Sequence, residues 1–152
     1  MESLSESQRS QNEFNSSIIS LVETNHDLLD IIFDPKPSDE DLFSVILFAP
    51  LLKNVNLKIY CKYHPLCVLT DGGKWVSEKR QRTLYDYTRR VKLISRELEC
   101  ELCENPYLSH DVNIIKSLPP PHTPPFLLSH KEGITLRAAQ LIWNSVANGE
   151  LK

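Results

Sequence analysis

The run from Ser77 to Glu104 constrains this chain more than any other, because it carries two dissimilar faces at one period. Leu84, Tyr87, Val91, Ile94, Leu98 and Leu102 are three or four residues apart, the spacing of one apolar stripe on a helix. Trp75 and Val76 lead in, Ser77 suits an N-cap, and Pro106 blocks continuation. The spacing therefore predicts a long central helix.

Arg82, Arg89 and Arg96 recur every seven residues on the opposite face of that helix, with Tyr85 and Lys92 beside them. Guanidinium groups next to an aromatic ring suit phosphates or an acidic partner. A solvated charged face is the plainer reading. Basic residues fill the front of the run, and Glu97, Glu99, Glu101 and Glu104 crowd its end. The helix dipole favours the reverse order, which is consistent with charges kept for a partner.

Two helices are expected before it. Phe14, Ile18, Leu21, Val22, Leu28, Leu29 and Ile32 place the first near 12–32, after a disordered tail over 1–11. The Asp34-Pro35-Lys36-Pro37 break and a capping-box pattern at Ser38 and Asp41 precede the second. That helix carries Leu42, Phe43, Ile46, Leu47 and Leu51 and is apolar on nearly every side. Such a helix is buried in the core or covered by a protein partner.

From Asn56 the period changes to two. Leu57, Ile59, Cys61 and Tyr63 alternate with Lys58, Tyr60 and Lys62, the pattern of a half-buried strand. Two further short strands, over 66–70 and 74–76, flank a turn at Asp71-Gly72-Gly73 and complete a small antiparallel meander. A short helix follows over 111–118, then a stiff Pro-rich spacer over 119–125, then a last helix over 134–148 capped by Gly149. The expected class is α+β, mainly helical, with one domain over 12–149.

All four cysteines fall into one pattern. Cys61, His64 and Cys67 form C-x2-H-x2-C, and Cys100 and Cys103 form C-x2-C. Thiolates and imidazoles in pairs two residues apart are the usual ligands of structural zinc, and His110 is a spare donor. Against this, the gap between the halves is long, Cys61 fits the inward side of a strand, and Cys100 and Cys103 fall within the expected helix.

No phosphate-cradling glycine loop, nucleophile elbow or H-E-x-x-H motif is present, so no catalytic residue is assigned. The net charge of −3 excludes a generally basic nucleic-acid binder, leaving only a local patch. No apolar run reaches the ~20 residues of a membrane span, and the start has no secretory pattern. Unpaired cysteines then suggest an intracellular protein, nuclear or cytoplasmic. The sequence reads as a non-catalytic subunit or adaptor of a larger complex. The alternative is a nucleic-acid-binding accessory protein that uses the arginine row, with or without structural zinc.

Overall fold

The run 77–104 is not a helix. A computed structural model describes residues 6–36, 42–87, 89–103, 106–120, 122–129 and 132–147. In it, a single turn of 3-10 helix over Glu78–Arg80 is followed by an antiparallel pair of strands. In chain order the elements are α1 (Glu6–Thr24), a 3-10 turn (His26–Leu28), β1 (Ile32–Phe33), β2 (Ser44–Phe48) and α2 (Pro50–Lys53). Then come β3 (Thr70–Trp75), β4 (Arg82–Asp86), β5 (Arg89–Glu99), β6 (Tyr107–Leu108), α3 (Val112–Ser117), β7 (Phe126–Leu128), β8 (Gly133–Thr135) and α4 (Leu136–Ala147). The protein is mainly β, a curled mixed sheet of eight strands with four helices, and not mainly helical.

The 11-residue β5 is the hub. Its first half lies between β2, parallel to it, and β4, antiparallel. Its second half lies between β3 and β6. From β4 the sheet continues through β8 to β7, and from β2 it ends at β1.

Both faces of the sheet centre are buried. Val91, Leu93 and Leu98 of β5 join Ile46 and Phe48 of β2 in the larger core, with Leu84, Ile114 and Phe126. Ile94 joins Val45 and Leu47 in a second core, which is roofed by Ile18 and Val22 of α1. All five residues of β2 are buried, so a strand there has no polar side to betray it. The apolar run 42–52 is therefore not one helix but β2 followed by the single turn of α2, and most of it is buried. Ile46, Leu47 and Leu51 are core residues, and Phe43 is covered by Arg90 and Lys92.

Other expectations shift in detail. The first helix ends at Thr24, and it begins at Glu6, inside the expected tail. The expected meander reduces to a ribbon with one bridge, Tyr60 to Val68. Asp71-Gly72-Gly73 lies within β3, where the register shifts. A Cβ on Gly72 would meet the Glu97 carbonyl oxygen at 2.8 Å, so glycine permits this close approach to β5. The short helix at 112–117 begins at an Asp111 N-cap whose side chain accepts from the Asn113 amide. The last helix starts at Leu136, because 133–135 pair as β8. The caps expected at Ser38 and Gly149 lie outside the described residues.

One buried carboxylate ties β4, β5 and α4 together. Asp86, fully buried, accepts from Thr135 Oγ1 at 2.5 Å, from Arg137 Nε and Nη2 at 2.9 and 2.6 Å, and from Arg89 Nε at 2.9 Å. Replacing Asp86 with Asn leaves two guanidinium groups around a neutral amide. We expect the D86N variant to lose about 3 kcal/mol of stability, read from its denaturant midpoint at unchanged slope.

Candidate metal centre

The two cysteine-bearing segments meet because β3 and β5 are antiparallel. Thr70 pairs with Glu99, so the chain just before β3 faces the chain just after β5. Cys61 and Cys67 lie on opposite arms of the ribbon, where the Cys61 amide donates to the Cys67 carbonyl at 2.9 Å. His64 sits in the loop between them, and its carbonyl accepts from the Cys67 amide at 2.8 Å. Cys100 and Cys103 occupy the tight turn after β5, closed by a 3.3 Å bond from the Cys103 amide to the Cys100 carbonyl. They are not mid-helix, and the long gap in sequence is spanned by strand pairing.

Cys61 Sγ, His64 Nδ1, Cys100 Sγ and Cys103 Sγ all lie within 4.8 Å of one another. His64 Nδ1 is 3.6 Å from Cys61, 3.8 Å from Cys100 and 3.3 Å from Cys103, and the Cys61 and Cys103 sulfurs are 3.5 Å apart. Tetrahedral zinc with Zn–S near 2.3 Å and Zn–N near 2.05 Å needs ligand edges of about 3.5–3.8 Å. Four of the six edges thus lie between 3.3 and 3.8 Å and all within 4.8 Å, and this cluster could hold a metal ion. Cys67, the fifth donor, has its sulfur 3.2 Å from that of Cys100.

Polar groups around the sulfurs favour the thiolate at Cys61 and Cys100. At Cys103 the Tyr107 hydroxyl acts in the same direction, but burial and the Cys61 and Cys100 contacts outweigh it and raise the thiol. Burial pushes the Cys61 thiol up, but hydrogen bonds from Tyr107, His64 and the backbone outweigh it and bring it to about 6. Burial also opposes ionisation of Cys100, yet the Leu102 amide, 3.4 Å from its sulfur, helps to lower it. His64 is raised, chiefly by its contact with Cys61. A cation entering the cluster displaces the protons held by His64 and the raised thiols. Tyr107 was not singled out from the sequence. Its hydroxyl lies 3.1 Å from Cys61 Sγ and 3.6 Å from Cys103 Sγ, the place of an outer-sphere partner. Pro106-Tyr107 carries no spacing signal that could have found it.

His110 stands elsewhere. It is buried, with Nδ1 2.5 Å from Ser95 Oγ on β5.

The expected arginine row does not exist, because its residues are spread over two strands. Arg82 donates to the carbonyls of Ser129 and Glu132 at 2.5 and 3.2 Å. Arg89 pairs with Asp86 and Asp34. Arg96 makes a two-pronged bond to Asp71 at 2.8 and 3.0 Å and lies over the Trp75 ring. Tyr85 donates to Glu132 at 3.3 Å, and Lys92 lies over Phe43.

No family model, curated protein or solved structure matches this chain. No described helix is long and apolar enough to cross a membrane.

Burial, aided by the Arg82 charge and opposed by Asp111, lowers His110 to about 4 from its ordinary 6.5. The folded chain then resists a proton that the unfolded chain accepts, so stability falls as pH drops from 6.5 towards 4 and levels off below. We expect this residue to account for about 3 kcal/mol of that loss. The difference between wild type and a His110→Gln variant across that window isolates it from the thiols.

Proposed function

We propose that this chain is a non-catalytic interaction module, a subunit or adaptor of a larger intracellular assembly, fastened by one structural zinc ion. The observation that carries the interaction reading is the end of α4. Leu141, Ile142, Trp143 and Val146 are all exposed there, Trp143 at 71%. No charged residue occurs between Ala138 and Ala147. An uncharged helix end presenting a tryptophan and three aliphatic side chains suits an apolar groove on a protein partner. The helix is held at its root by the Arg137–Asp86 pair and leaves the domain from there.

Zinc suits the centre by ligand type. Three thiolates and an imidazole match its preference, and four protein donors close the coordination shell, which is the mark of a structural site. Reduced thiols fit an intracellular setting. Nucleic-acid binding through Arg82, Arg89 and Arg96 would require those side chains to leave their internal partners.

Two measurements test the reading. Protein purified without chelator should carry about one zinc ion per chain, and Cys103→Ser should lose it. A metal-free wild type that takes up no added zinc overturns the metal assignment. Separately, an Ile142→Asp/Trp143→Asp variant should keep its zinc and its melting midpoint within about 4 °C, yet lose the protein that crosslinks to the wild-type chain. A partner retained by the variant overturns the α4 assignment. So does a wild-type dimer that the variant dissociates, which would give the face to a second copy.

A further inference from the structure

The centre has one donor more than a tetrahedral metal needs. We propose that Cys67 and Cys100 are an oxidation-sensitive pair, joined by hydroperoxide into a reversible disulfide that expels the metal. The expulsion rests on the metal reading of the other four donors.

The Cys67 and Cys100 sulfurs are 3.2 Å apart, and a disulfide needs them to close by about 1 Å, within reach of a side-chain rotation. Cys67 is half-buried and lines a surface cavity of about 640 Å³, together with Tyr63, Leu66 and Leu102. Cys100 is buried. Cys67 is thus the sulfur that a small oxidant reaches first, and Cys100 is the sulfur it can reach next. The other close pair, Cys61 and Cys103 at 3.5 Å, shares the Tyr107 hydroxyl, and both of its sulfurs belong to the four-donor set.

The chemistry balances in two steps. The Cys67 sulfur attacks one peroxide oxygen, the O–O bond breaks, and a sulfenic acid and one water form. The Cys100 thiolate then attacks the sulfenic sulfur. The S–O bond breaks, the S–S bond forms, and hydroxide leaves to become the second water. Two sulfurs lose two electrons, and the peroxide gains them. Cys100 can no longer act as a thiolate ligand, which leaves the ion three donors and an open position. A thiol reductant restores the site.

The experiment uses the zinc-loaded full chain, excess hydrogen peroxide, a chromogenic chelator, intact mass and peptide mapping. Wild type should release its zinc as the mass falls by two hydrogens, with a peptide crosslinked between Cys67 and Cys100 that dithiothreitol separates. Cys67→Ser should bind zinc at the wild-type stoichiometry and release it at least about tenfold more slowly under peroxide. Three results overturn the proposal: Cys67→Ser and Cys67→Ala that bind no zinc, release from Cys67→Ser at the wild-type rate, or a disulfide mapped to Cys61 and Cys103. A wild-type chain that takes up no zinc overturns the metal reading and the expulsion with it. Peptide mapping of that chain still decides whether Cys67 and Cys100 are the pair.

Discussion

The structure depends on a single strand paired along both edges. Every backbone hydrogen bond that joins β2, β3, β4 or β6 to the sheet centre is made with β5. Its first half is held between β2 and β4, and its second half between β3 and β6. Val91 and Leu93 face the same core as Leu98, so the alternation of faces shifts once between them. The two cores on either side of β5 are therefore coupled. A change in this strand is felt by α1 through Ile94 and by α3 through the larger core.

The metal centre follows from the same strand. Beyond Glu99 the chain has no further partner to extend the sheet, and Cys100 and Cys103 form a turn there. The ribbon that faces this turn has a single bridge and little regular structure of its own. Ile59, Cys61 and Leu69 bury inward, while Tyr60, Tyr63 and Leu66 remain outside. A segment of this kind offsets little of its own ordering entropy through strand pairing. Donors supplied by both sides of the gap could hold an ion, which would contribute that stability at the point where the sheet stops.

This explains which parts of the molecule were legible in the sequence. The cluster of Cys61, His64, Cys100 and Cys103 was legible because ligand spacing is a property of the chain, whatever its backbone does. The backbone of the central run was not. Leu84, Val91 and Leu98 are seven apart, and that interval serves a helical stripe as well as a hairpin that sets Leu84 opposite Val91 and a strand whose faces shift once before Leu98. Glu, Lys, Arg and Leu, all strong helix formers, fill the run, and local propensity yields when both edges find partners. In β2 the failure has a different cause. Val45 and Leu47 point to one core while Ile46 and Phe48 point to the other, so burial on both faces erases the period of two. The two later helices were easier. At α3 and α4 the periodic pattern located the helices to within two residues at the start, while the caps that set those starts, Asp111 on the Asn113 amide and Thr135 on the Ala138 amide, were not read from the sequence.

The arginines show how a regular spacing can mislead about chemistry. Each one joins elements that are distant in sequence. Arg82 reaches the loop before β8, Arg89 joins the β4–β5 pair to the chain after β1, and Arg96 links β5 to β3 and to Glu23 of α1. Arg96 has a side chain only 12% exposed, a two-pronged carboxylate partner and an aromatic ring beneath it. Pulling such a group away to meet a phosphate strands Asp71 and uncovers Trp75, and breaking a well-buried pair costs about 3–5 kcal/mol. An exposed ion pair returns about 1 kcal/mol or less. The balance keeps Arg96 in place as a strut between β5, β3 and α1. On the interaction reading proposed above, the partner is met by the exposed apolar side chains at the end of α4.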